Sequence, residues 1–186
     1  MNTLYHNIHQ EIIDKCREGD SKAQFQLYKL YYKAMYNTSY RIVNDSMEAE
    51  DIMQDSFLAA FDKISTYSGK VSFGAWLKKI VINNSLDSIK KNKIEVENIE
   101  ERNHNIKEED DDDETEDIDY KIEEIRMAIN ELADGYRIIL SLYLIEGYDH
   151  EEIGEILGIT SSTSRSQLTR AKKKLKEYLE TKSVKI

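Results

Sequence analysis

The side chains best equipped for chemistry in this 186-residue chain lie near its C-terminus. Residues 160–176 read TSSTSRSQLTRAKKKLK, in which Leu168 and Ala171, continued by Leu175 and Leu179, recur at helical spacing as an apolar stripe. The remaining face carries Arg165, Gln167, Thr169, Arg170, Lys172, Lys173, Lys174 and Lys176. Arg and Gln bond the edges of bases in a major groove, and Lys neutralises phosphate without reading sequence. Residues 164–182 hold seven bases against Glu177 and Glu180, a net +5. A basic helix is often no more than a solvated one, so the elements around it must decide.

Two further clusters lie earlier in the chain. Glu50, Asp51, Gln54 and Asp55 fall within two helical turns, opposite an apolar stripe of Ala49, Ile52, Met53, Phe57, Ala60, Phe61 and Ile64. A solvated face would look the same. Further on, Phe73, Trp76, Leu77 and Ile80 alternate with Lys78, Lys79, Asn83, Asn84, Lys90 and Lys91. Aromatic rings beside Lys and Asn suit stacking on unpaired bases and holding their phosphates, although a single Trp also serves as core.

Covalent chemistry has little support. His6, His9, His104 and His150 are dispersed, and neither a glycine-rich phosphate loop nor a Ser/His/Asp or Cys/His pattern occurs. Cys16 is the sole cysteine, which excludes an intramolecular disulfide and offers zinc no thiolate cluster. The run EEDDDDETED lacks the alternating ligands and central glycine of a calcium loop. No enzyme, no metal and no cofactor is therefore expected.

The elements that must position these side chains are helices. Seven glycines and no proline leave too little turn chemistry for a β-sandwich or barrel. Ile8, Ile12 and Cys16 predict a short first helix. Asp20 caps a second, running to about Val43, with Ala23, Leu27, Leu30 or Tyr31, and Met35 inward. Asp45 and Glu48 open a third in capping-box spacing, TYSGK forms a loop, and Ser72 caps a fourth from Phe73 to about Lys91. Ile122, Ile125, Ile129 and Leu132 predict another helix, broken at Asp134-Gly135, after which YRIILSLYLI forms a buried helix ending at Gly147. Asp149 and Glu152 form a second capping box for HEEIGEILG, with Ile153, Ile156 and Leu157 inward. Gly158 then turns the chain, and Thr160 caps the basic helix. Two helices joined by a short turn containing glycine match the helix-turn-helix pattern.

The overall charge of −10 conceals how locally the acids are placed. Residues 95–119 hold fourteen acids against Arg102 and Lys107, a net −12, so the rest of the chain stands at +2. With Val96, Ile99, Ile106 and Ile118 as its only apolar residues, this stretch predicts a disordered acidic linker. The expected organisation is all-α: two small helical domains, 1–94 and 120–186, joined by an acidic flexible linker at 95–119, the C-terminal domain a helix-turn-helix. The N-terminal MNTLYHNIHQEII lacks a signal-peptide pattern, and no apolar run reaches the roughly 18 residues of a membrane span. A cytoplasmic protein without direct membrane insertion is expected.

Four segments in this order, AEDIMQDSFLAAF (49–61), FGAWLKKIVINNSLDSIKK (73–91), YRIILSLYLIEGYDHEEIGEILGI (136–159) and TSSTSRSQLTRAKKKL (160–175), resemble the extracytoplasmic-function (ECF) class of bacterial RNA polymerase sigma factors, within the sigma-70 family. The resemblance covers nearly the whole chain, apart from a few N-terminal residues and the linker.

It implies a sigma region 2-like domain that docks on polymerase and melts the −10 element, and a region 4-like domain that reads the −35 element. Glu50, Asp51, Gln54 and Asp55 would meet the β′ clamp helices of core RNA polymerase, with the β flap as a second contact. Tyr67, Ser68 and Lys70 would capture a flipped base, and Trp76, Lys79, Asn83, Asn84, Asp87, Lys90 and Lys91 would serve strand opening. Ser162, Thr163, Arg165, Ser166, Gln167, Thr169, Arg170 and Lys173 would face the −35 duplex. The acidic linker would enter the polymerase's nucleic-acid channel, and a membrane-bound anti-sigma protein often restrains members of this class. The chain departs from the usual pattern at Ile82, where a basic residue is common, at Ser164, where an apolar one is usual, and at Gln167, where Arg is frequent.

A rival reading is a dimeric helix-turn-helix regulator. It accounts for 120–186 but leaves the Trp76 segment and its acidic neighbour without a purpose. The sigma reading expects a monomer when free.

Overall fold

The computed structural model describes residues 8–96 and 118–183, which are helical with connecting turns and contain no strand among the described residues. The chain divides into two compact units, Met1–Ile89 and Lys90–Ile186. In the first lie α1 (Gln10–Arg17), α2 (Ser21–Val43), α3 (Ser46–Asp62) and most of α4 (Phe73–Val96), with a short 3-10 turn at Ile64–Thr66. The second contains α5 (Ile118–Asn130), α6 (Asp134–Leu140), α7 (His150–Leu157) and α8 (Ser161–Ser183).

The predicted caps form. Asp20 sits in extended backbone and accepts the N–H groups of Lys22 and Ala23 at 2.8 and 3.2 Å. Asn44 ends α2 in the left-handed region at φ 59°, which its short polar side chain tolerates better than most residues do. Asp45 accepts the Glu48 N–H at 2.8 Å, and Ser72 accepts that of Ala75 at 3.2 Å. The core of the first unit gathers Ile13, Cys16, Leu27, Met35, Met53, Phe57, Phe73, Leu77 and Val81 from all four helices. Small polar groups cross it in satisfied pairs: Ser39 and Ser85 hydroxyls lie 3.0 Å apart, and Ser56 donates to the Ile52 carbonyl while accepting from Asn84.

Several expectations need correction here. Ile8 is 88% exposed because α1 starts only at Gln10; its buried pair is Ile13 and Cys16, one turn apart. On α2 the open choice between Leu30 and Tyr31 falls to Tyr31, half-buried beside the core, while Leu30 is exposed. The first compact unit ends at Ile89, and Lys90, Lys91 and Asn92 beyond it are exposed. The predicted linker loses both ends to helix, at 95–96 and 118–119; its remainder, 97–117, lies outside the described residues.

In the second unit the break between helices is at 131–133, and Asp134-Gly135 instead open α6. An acid in the first turn complements the helix dipole, and Asp134 also holds the buried Arg137 at 2.9 Å. Arg137 in turn donates to the Leu132 carbonyl at 3.2 Å, tying the two helices at their corner. The helix predicted to reach Gly147 widens into a π-helical turn over Ser141–Ile145, where Glu146 N–H bonds the Ser141 carbonyl five residues back at 2.9 Å. That extra residue per turn rotates the register, leaving Leu144 and Ile145 exposed while Ile138, Ile139, Leu140 and Leu142 stay buried.

Candidate functional site

The turn between α7 and α8 is built for close approach. Asp149 accepts from the N–H groups of Glu151 and Glu152, and the Glu152 carboxylate accepts the Asp149 N–H at 2.9 Å, a complete capping box. Gly158 ends α7 at φ 69°. A Cβ on Gly154 would lie 2.8 Å from the Ile159 carbonyl oxygen, so only glycine lets the turn pack against α7. Thr160 then accepts the Thr163 N–H at 3.1 Å and starts α8.

On α8, Leu168 and Ala171 are buried, and Ser162, Thr163, Arg165, Ser166, Thr169, Arg170 and Lys173 are exposed. Gln167 is half-buried, and the Thr169 hydroxyl bonds back to the Arg165 carbonyl at 3.0 Å. Ser164, where an apolar residue was expected, is fully buried with its hydroxyl 2.9 Å from His150 Nδ1. His150 stacks on Tyr143 at 4.8 Å, and Lys172 lies over that same ring at 5.5 Å. Lys174 and Lys176 form exposed ion pairs with Glu177 and Glu180, which contribute little to stability. This arrangement presents Arg165 and Arg170 early on the helix, with most lysines following.

Helices α3 and α4 carry two other faces. Glu50, Asp51, Gln54 and Asp55 are all exposed on α3, with Gln54 donating to Glu50 at 3.2 Å. On α4, Lys79, Asn83, Asp87, Lys90 and Lys91 are exposed and continue one face from the half-buried Trp76. Ile82 lies on the opposite side, 1% exposed in the core.

Over its length the chain is 30% identical to the ECF RNA polymerase sigma factor SigW of Bacillus subtilis, in an alignment covering 90% of this chain and 94% of that protein. The chain belongs to the ECF RNA polymerase sigma factors. Residues 27–94 match the family Sigma-70 region 2, and residues 122–175 match Sigma-70, region 4. The RNA polymerase sigma-H factor of Pseudomonas aeruginosa is 24% identical, with 92% of this chain and 93% of that one aligned. In fold, the sigma factor RpoE of Bartonella quintana, solved with the anti-sigma factor NepR, superposes with a TM-score of 0.65 at 22% identity, covering 83% of this chain and 95% of that one. CnrH, solved with the cytosolic domain of CnrY, gives 0.55 at 19% identity, covering 91% and 96%. This sigma factor binds core RNA polymerase and directs promoter-specific transcription initiation, without catalysing a reaction itself. No helix of its described residues is long and apolar enough to cross a membrane.

Two of the expected −10 residues are tied into the fold. Tyr67 is 2% exposed, and its hydroxyl donates to the Val71 carbonyl at 2.6 Å, closing the loop on itself. Its ring lies among Phe73, Trp76 and Arg17, so it anchors the loop while Ser68 and Lys70 stay outside. Asn84 is half-buried, donating to Ser56 at 2.9 Å, and ties α4 to α3. Met47 and Leu58 are large apolar side chains left 78% and 64% exposed. With Asp51 and Gln54 they fall at spacings of four, three and four on one stripe of α3, a signal the periodicity already carried.

Proposed function

We propose that this sigma factor divides its task among three faces. The α3 stripe Met47, Asp51, Gln54 and Leu58, flanked by Glu50 and Asp55, docks on the β′ clamp helices of core polymerase. Ser68 and Lys70, with the α4 face from Trp76 through Lys79, Asn83, Asp87, Lys90 and Lys91, meet the unpaired −10 strand. Arg165, Gln167 and Arg170 read the −35 duplex, aided by Ser162, Thr163, Ser166, Thr169 and Lys173.

The observation that carries the reading is the sorting of charge: exposed acids on α3, exposed bases beside Trp76 on α4, and exposed bases on α8. A phosphate backbone repels the first face and attracts the other two. Large apolar side chains bracketing a polar row suit a protein partner instead, because such residues anchor interfaces.

Binding follows an order in this reading. Core polymerase comes first and supplies the spacing between the two DNA-contacting units, the −35 contact sets register, and capture of a flipped base offsets an unstacking cost of a few kcal/mol. Free protein is then a monomer. The acidic stretch 95–119, with its net −12, enters the nucleic-acid channel of polymerase, and α5 to α8 contact the β flap. A membrane-bound anti-sigma protein covering the docking faces is the expected regulator; the RpoE structure, solved with the anti-sigma factor NepR, supports an anti-sigma partner.

The test is co-elution with bacterial core RNA polymerase in competition with the housekeeping sigma factor. One copy per core, displaced saturably, is expected, and Asp51→Ala with Gln54→Ala should weaken it without loss of helicity. Unchanged affinity in that double variant removes α3 from the docking role. A stable dimer that ignores polymerase would favour the helix-turn-helix regulator.

A further inference from the structure

The loop between α3 and α4 is held from an unexpected quarter. Arg17, the last residue of α1, donates through Nη2 to the Tyr67 carbonyl at 2.7 Å, fifty residues away in sequence. Its Nη1 donates to Asp14 Oδ1 at 2.7 Å, and Asp14 also accepts from Gln10 at 2.9 Å, so the guanidinium is aimed from behind. Its carbon lies 5.9 Å from the centre of the Tyr67 ring. That ring packs edge-on to Phe73 at 5.6 Å and tilted against Trp76 at 5.3 Å. The Tyr67 hydroxyl then returns to the Val71 carbonyl. Residues 68–70 thus form the tip of a small closed ring whose base is clamped by Arg17, with Gly69 at φ 72° turning the tip outward.

A rigid fork with two bonds in fixed directions suits such a clamp better than a flexible ammonium, because its geometry is preset. We propose that Arg17, held by Asp14, is a positioning residue for promoter opening: it acts through Tyr67 to hold residues 68–70 and Trp76 in the arrangement that receives an unpaired base. This rests on the reading of that loop as the base-receiving element. Arg17 touches no base. A site on a loop gains selectivity only when a second layer of contacts fixes it, and α1 supplies that layer.

The experiment uses the holoenzyme with full-length chain and a single-stranded DNA 12-mer pool randomised at every position. Wild-type selection yields a base preference, and single-base variants of the selected strand measure its strength. Ser68→Ala and Lys70→Ala test the underlying reading: if neither alters the preference at any position, the loop is not the base receiver and both claims fall. If they do, Arg17→Gln and Asp14→Asn should reduce discrimination at those same positions, by about tenfold for Arg17→Gln, with core affinity within about twofold. Arg17→Lys keeps the charge and most of the stem, guarding against a folding defect, and should lose most of the discrimination as well. Wild-type discrimination in both Arg17 variants overturns the proposal. So does a uniform fall across all sequences, which would assign Arg17 to stability alone.

Discussion

At the scale of single residues, the two ends of the molecule invite opposite substitutions. Arg165 is exposed on α8, five residues past the Thr160 cap. Arg165→Ala in holoenzyme should cost about 1–3 kcal/mol at one position of the −35 element, measured by competition between promoter variants. An equal loss at every sequence would make it a phosphate contact. Cys16 presents the converse case, a reactive group made inert. Burial first, and the Asp20 carboxylate second, push its thiol from an ordinary 9.0 up to about 11. The native thiol therefore stays protonated where the unfolded one ionises. Its contribution to stability is complete below about pH 9 and is lost as pH rises toward about 11. Denaturation midpoints across that range should fall more steeply in wild type than in Cys16→Ala. Alkylation of native protein at neutral pH should be slow beside that of the denatured chain. The residue types were all readable in advance, but the roles of Tyr67, Asn84 and Ser164 were not. A hydroxyl or amide looks alike in sequence whether it meets solvent or the Val71 carbonyl, Ser56 or His150.

At the scale of elements, local chemistry was legible wherever a few neighbouring residues settle it. Asp20, Asp45, Asp149 and Thr160 cap the helices they were expected to cap, since each bond spans two or three residues. The α7–α8 turn gives the sharpest test of that local architecture. Gly154→Ala should destabilise the second unit by about 1–3 kcal/mol, because the new methyl meets the Ile159 backbone rather than a movable side chain. Asp149→Ala removes the capping box and should cost about 1 kcal/mol. Chemical denaturation followed by circular dichroism measures both, and a neutral Gly154→Ala would mean that the turn relaxes. The π-helical turn at Ser141–Ile145 lay beyond such reasoning. Nothing in the run SLYLI departs from ordinary helical patterning, and Leu142 within it is buried.

At the scale of the whole molecule, charge is the dominant theme. Exposed bases gather on α4 and α8, while the acids concentrate at 95–119 and on α3. Under the proposed order of assembly, the isolated chain should bind promoter DNA weakly and with steep salt dependence, and holoenzyme far more tightly. Titration of labelled promoter DNA at two salt concentrations checks this; tight, sequence-specific binding by the free chain would contradict the requirement for polymerase. Sedimentation of the free protein should show a monomer.

The all-helical class, the caps, the glycine-containing turn before α8 and the family itself were determined by the sequence alone, through periodicity, neighbouring side chains and motif order. The tertiary structure alone decided that Arg17 clamps Tyr67, that Asn84 and Ser164 face inward, and that Met47 and Leu58 stay exposed beside Asp51 and Gln54. The reason is range. Helix formation and capping are settled within a turn or two of chain, whereas contacts between residues tens of positions apart depend on how helices pack, which no local pattern encodes.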